Sequence, residues 1–114
     1  MVAMIVLAAV SCGCGHIETY GERISNRKIT AINDIVAHPA DYIGKTVTVK
    51  GKIILVCETG CWFNIKEADS VLYVNIEPSG FAIPQNAGRR ATVEGKILMD
   101  RGKLTLAGKG VEIR

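Results

Sequence analysis

The feature that most restricts the fold is a glycine set at the same phase in two alternating segments. Thr48-Val49-Lys50-Gly51-Lys52-Ile53 is echoed in pattern by Thr92-Val93-Glu94-Gly95-Lys96-Ile97. Successive side chains of a strand point to opposite faces. Val47, Val49, Ile53, Leu55 and Cys57 are therefore expected on one face, with Thr46, Thr48, Lys50 and Lys52 on the other. Glycine inside such a strand marks a bulge or a sharp bend. Two long strands bent at one phase are what a small sheet needs in order to curl and close.

The rest of the second half supplies the partners. Strand-like sequence covers Cys61 to Ile65, Ser70 to Ile76, Arg90 to Met99 and Lys103 to Ile113. Lys66 to Asp69 and Asp100-Arg101-Gly102 read as turns, and Glu77 to Arg89, with Pro78, Gly80, Pro84 and Gly88, as a long connection. Thr30 can cap a short helix over residues 30–38, with Ile32, Ile35 and Val36 at helical spacing and Pro39 ending it near His38. The pattern predicts an all-β domain over residues 29–114: a short N-terminal helix, then a five-stranded OB-fold barrel. A small open sandwich is the competing architecture. At 114 residues one domain with a small core is expected.

Val2 to Val10 is a nine-residue apolar run that ends in Ser11-Cys12. A bilayer span needs about 20 apolar residues, so the run fits the apolar core of an export signal instead. Ala9-Val10-Ser11-Cys12 resembles the lipobox of bacterial lipoproteins, which implies lipidation of Cys12 after removal of residues 1–11. A buried first strand is the alternative reading. Residues 12–28 are polar and without periodicity, and read as a tether between anchor and domain. The expected location is the periplasmic side of a bacterial envelope, held to the membrane by the lipid anchor. The net charge of +3 is well below the basic footprint of a dedicated nucleic-acid binder.

Cys57-Glu58-Thr59-Gly60-Cys61-Trp62 places two thiols around a turn. Both have the parity assigned to the core, and a hairpin would set them across from each other at one barrel end. A Cys57–Cys61 disulfide is geometrically feasible and would persist in an exported protein. Its loop of about five residues would add roughly 2 kcal/mol. Three alternatives stay open. The pair could hold zinc or copper, with two thiolates as half a tetrahedral shell or as ligands to Cu(I). It could be a working redox couple, though Cys-x-x-x-Cys lacks the helix N-terminus that activates many such thiols. It could also be inert.

Trp62 and Asn64 share the outer parity of one strand; Tyr73 and Asn75 share that of the next. The outer surface of these strands is the usual OB-fold binding face. Two aromatics flanked by amides, with Lys50 and Lys52 alongside, could take a base, a sugar or a peptide side chain. The competing reading buries Trp62 and Tyr73 under the 30–38 helix.

Val56-Cys57, Gly60-Cys61-Trp62, Val74, Gly80-Phe81, Ile83-Pro84 and Val93-Glu94-Gly95 resemble a family of small exported bacterial OB-fold proteins of unknown function. Its hallmark is a Val-Cys-x-x-x-Gly-Cys-Trp hairpin. The likeness covers Gly44 to Met99, and implies fold and export but no activity.

No Ser/His/Asp set, paired-carboxylate signature or phosphate loop occurs, and the two histidines lie outside the barrel segments. The chain therefore reads as a non-enzymatic, lipid-anchored envelope module that binds a peptide, a glycan or a partner protein, without a cofactor. A metal or thiol-redox protein built on Cys57 and Cys61 is the alternative. A single-stranded nucleic-acid binder is a second, disfavoured by export and mild charge.

Overall fold

A computed structural model describes residues 16–85 and 87–114. The strands are β1 (Glu18–Gly21), β2 (Thr46–Val56), β3 (Trp62–Glu67), β4 (Ser70–Asn75), β5 (Arg90–Asp100) and β6 (Lys103–Ile113), with one helix, α1 (Ile32–Ala37), before β2. The sheet runs β1-β6-β4-β3-β2-β5, and β5 also pairs with β6. That second pairing closes β2, β3, β4, β6 and β5 into a five-stranded barrel, with β4 and β6 parallel. The predicted OB-type barrel with a short helix is the fold observed.

The closure works through β2, which serves two neighbours. Its Thr46–Lys52 half pairs with β5 and its Lys52–Val56 half with β3. Gly51 sits at the handover, buried, where an added Cβ would collide with the Lys66 carbonyl oxygen. The absent side chain is what permits this close approach of β3, while the register shift of the strand falls beyond it, between Ile53 and Leu55. Gly95 lies at a register shift: Glu94 faces Gly110 and Gly95 faces Gly108. Phe63, Ile65, Leu72, Val74, Ile97 and Leu106 fill the interior, and α1 adds Ile32 and Ile35. Ala31, not Thr30, stands at the N-cap position of α1. The Ile32 amide donates instead to Glu67 Oε1 at 3.0 Å, while Thr30 uses its own amide on the Thr48 carbonyl.

Two expectations are corrected. Ile53 faces Ile65 but Leu55 faces Asn64, so Ile54 is a bulge residue and the strand's parity reverses beyond it. Leu55 is accordingly 50 % exposed and Val56, not Leu55, joins the core. Cys57 thereby loses its predicted inward position. The second correction concerns the tether. Cys12 to Gly15 lie outside the described residues, as do residues 1–11, but from Glu18 onward the chain belongs to the sheet. Glu18 to Gly21 pair with Ile113 to Gly110. Residues 22–29 then strap across the outer surface of β2, β5 and β6. Ser25 and Asn26 donate their amides to Glu94, Arg27 makes a bidentate pair with Glu112, and Thr48 Oγ1 donates to the Asn26 carbonyl at 2.6 Å. Thr48, Glu94 and Glu112 are buried although their parity is outward.

Candidate functional site

The β2–β3 turn carries the thiols, and backbone hydrogen bonds explain its shape. Val56 faces Phe63, the Cys57 amide donates to the Trp62 carbonyl, and the Gly60 amide donates to the Cys57 carbonyl at 2.9 Å. Gly60 has φ +76°, and the Ile83 carbonyl oxygen occupies the space a Cβ would need. The 76–85 connection clamps the tip. Ile76 donates to Cys61, Ile83 to Gly60, and the Gln85 amide to the Cys57 carbonyl.

The two sulfurs lie 3.0 Å apart as free, half-buried thiols. The sequence reading seated them side by side but inside the barrel; they are instead on the outer rim, because the Ile54 bulge turned Cys57 outward. Three polar groups converge on Cys57 Sγ: the Cys61 amide donates to it at 3.3 Å, the Cys61 sulfur lies at 3.0 Å, and the Thr59 hydroxyl lies at 3.2 Å from Cys57 Sγ and 3.3 Å from Cys61 Sγ, bridging the two. The Cys61 thiol's bond, followed by those of Thr59 and the Cys61 amide, lowers the Cys57 thiol to about 6. The same contact raises Cys61, the thiol that keeps its proton. The turn therefore gathers a thiol, a hydroxyl and an amide around the Cys57 sulfur, the surroundings that favour its thiolate form. Such an arrangement can attack a disulfide or bind a soft cation. Among the described residues no third His, Cys, Asp or Glu joins the pair. His16 stands near Glu18 and His38 ends α1, so neither approaches.

Trp62 and Tyr73 lie on the outer surface of β3 and β4, half-buried, with ring centroids 5.4 Å apart and planes tilted by 41°. The register explains the pairing: Trp62 faces Asn75 and Asn64 faces Tyr73, a two-by-two diagonal of rings and amides. Lys103 of β6 places its Nζ 4.0 Å from the Tyr73 ring centre. Sequence reading missed this lysine, because only the parallel β4–β6 pairing brings β6 beside Tyr73. Asn75 has its carbonyl oxygen engaged by the Glu77 amide, whereas the Asn64 side chain makes no hydrogen bond among the described residues. The helix does not lie over the rings. It holds the far end of the hairpin, where Ile32 meets Glu67 and Asn33 accepts from Ser70.

Lys50 and Lys52 do not belong to this face. Lys52 is opposite Lys66, four residues along β3 from Trp62, roughly 13 Å at strand rise. The two lysines look toward β5, where Lys50 faces Thr92 and Lys52 faces Arg90.

No protein-family model and no curated protein matches the chain. Solved structures do match in fold. The hypothetical protein ygiW from E. coli is similar with TM-score 0.58 and 14 % identity, over 76 % of this chain and 90 % of that one. A putative aspartyl-tRNA synthetase from Leishmania major Friedlin is similar with TM-score 0.60 and 11 % identity, over 80 % of this chain. The chain matches only 21 % of the synthetase's length. At these identities the likeness is one of barrel fold.

Proposed function

We propose that this chain is an exported, lipid-anchored, non-enzymatic binding module of the bacterial envelope, and that the outer β3–β4 face receives a peptide or a glycan. The observation that carries this is the Trp62–Tyr73 pair: it is half-exposed, and Lys103 lies over the tyrosine ring. Tilted aromatic rings with an unengaged amide at Asn64 offer stacking surface and directional hydrogen bonds together, the combination that small-ligand faces use. Trp62 is the chain's one tryptophan, so its fluorescence reports on this face. Titration with neutral oligosaccharides and with aromatic-containing peptides should quench or shift that emission for one class, and Tyr73→Ala should remove the response. An unchanged spectrum with both classes would refute the reading. Cells labelled with a fatty-acid analogue should mark the wild-type protein and leave Cys12→Ser unmarked.

A second reading is favoured by the sulfur geometry: the thiols act as a redox couple and are joined in the oxidising envelope. The Cys57 thiolate would attack an external disulfide, forming a mixed disulfide and releasing one thiolate. Cys61, on losing its proton, would then displace the second, giving the Cys57–Cys61 bridge. Thiol counting after equilibration with glutathione disulfide tests it. Two reactive thiols that persist, with zinc or Cu(I) retained on gel filtration, would favour metal holding instead.

A further inference from the structure

Lys66, Lys52, Arg90 and Arg114 stand in one row at the rim of the barrel. Lys66 faces Lys52 across β3–β2, and Lys52 faces Arg90 across β2–β5. The Arg114 amide donates to the Arg90 carbonyl across β5–β6. Four cations thus sit shoulder to shoulder over three strand spacings, roughly 14 Å. Lys50, two residues from Lys52 on the same side, adds a fifth. Two shallow depressions flank Arg90: one of about 130 Å³ touches Lys50 and Arg114, and one of about 270 Å³ touches Lys52, Lys66 and Glu67. Like charges directly opposite one another destabilise a sheet. Among the described residues none of the five is in an ion pair. Glu112 is paired with Arg27, and Glu67, which keeps its charge while accepting the Ile32 amide, is the one acidic residue lining either depression. Against that single carboxylate the row holds an excess of positive charge that an external anion would relieve.

We infer that this cationic row is a docking surface for anionic phospholipid headgroups, setting the barrel's orientation on the membrane. The inference rests on the proposed anchor at Cys12. Glu18 faces Ile113, so the chain before β1 leaves the sheet beside Arg114, at the cationic rim. From Cys12 to Ile17 five residues reach at most about 17 Å, so a lipid at Cys12 keeps this rim at the membrane surface. Ile17 and Val71, 42 % and 43 % exposed, flank the row; Val71 faces Lys66. Apolar side chains bordering a cationic strip suit a headgroup boundary better than a dissolved anion. Nucleic acid fits less well, because the stacking rings are roughly 13 Å away along β3 and the net charge is only +3.

The full chain carrying Cys12→Ser, which has no lipid site, is sedimented with phosphatidylglycerol-containing vesicles and with pure phosphatidylcholine vesicles. Insertion of the apolar N-terminal run would be equal in both, so the difference reads the row. Binding should favour the anionic vesicles and weaken with salt. Each cation near an anionic surface is worth roughly a fivefold change, so Lys52→Gln with Arg90→Gln should lower anionic partitioning about thirtyfold. Lys50→Gln with Arg114→Gln should act in the same direction, and neither double variant should lower the melting temperature, since each removes charges that repel across the strands. Equal binding to both lipids, or binding indifferent to both double variants, overturns the inference. Displacement by a single-stranded oligonucleotide, or by inorganic phosphate at matched ionic strength, overturns it too. Fatty-acid labelling separates the two ideas. Label without anionic preference defeats the cationic row alone, whereas anionic preference without label defeats the anchor alone.

Discussion

Two outward surfaces of the same barrel have met opposite fates. On β5 and β6, Glu94 and Glu112 point away from the core yet are 2 % and 8 % exposed, sealed beneath residues 22–29. On β3 and β4, Trp62 and Tyr73 also point outward and remain half-open, although they are the more apolar side chains. Polarity alone would have reversed this assignment. What differs is the supply of partners: the strap offers amides and a guanidinium to the carboxylates, so their burial is compensated hydrogen bond by hydrogen bond. Over the rings, among the described residues, Lys103 covers one face of Tyr73. The sealed surface holds the domain together, and the open one is left for something else.

The contrast can be broken most severely at Glu94. Glu94→Ala strands the Ser25 and Asn26 amides and should cost about 2–4 kcal/mol in urea unfolding. A loss below about 0.5 kcal/mol, within the range of an ordinary surface substitution, would show that the strap is incidental. Acid should act on the same surface more gradually. For Glu94, burial pushes the carboxyl up but the Ser25 and Asn26 amides outweigh it; for Glu112, Arg27 pulls it down. Both therefore titrate below the ordinary 4.5. The stability they add is complete above that pH and drains as pH falls through their folded-state values. Amide exchange over residues 18–29 should accelerate in that window before Trp62 emission changes, and Glu94→Gln should flatten the dependence. Simultaneous loss of both signals would mean that the two surfaces unfold as one.

On the open surface the effects should be smaller. A double-mutant cycle of Trp62→Ala and Tyr73→Ala should return a coupling of about 1 kcal/mol, the worth of a tilted aromatic pair. Smallest is Lys103→Gln, expected to cost about 0.5 kcal/mol at an exposed cation–π contact. It should lower ligand-induced quenching of Trp62 more than it lowers stability; the reverse order would make Lys103 a purely structural cover.

The strands were legible because their cues are local. Lys103 to Ile113 is bounded in the chain as alternation and Asp100-Arg101-Gly102 predict, and Gly51 and Gly95, paired by the echo, both lie where a neighbouring strand leaves no room for a side chain. Trp62, Asn64, Tyr73 and Asn75 share a surface for the same reason. Parity failed at a single residue: no signal in Ile53-Ile54-Leu55 says which of the three bulges, so Cys57 was placed inside. Residues 18–28 fall in the segment that reads as a tether, because four strand residues and an irregular strap carry no periodicity. Their cue is two acidic side chains, Glu94 and Glu112, each set between apolar or glycine neighbours within a strand.

By itself the sequence determined the five strands of the barrel, the glycines at which they pass close to a neighbour, and that two sulfurs and two rings lie near one hairpin, since each follows from residues a few positions apart. Tertiary structure decided which outward groups are sealed, which side of the wall Cys57 occupies, and that four cations, from three strands and the residue after β6, share a rim. Those outcomes depend on register between segments remote along the chain, and register is set by a bulge, a closing pair and a strap that local pattern does not encode.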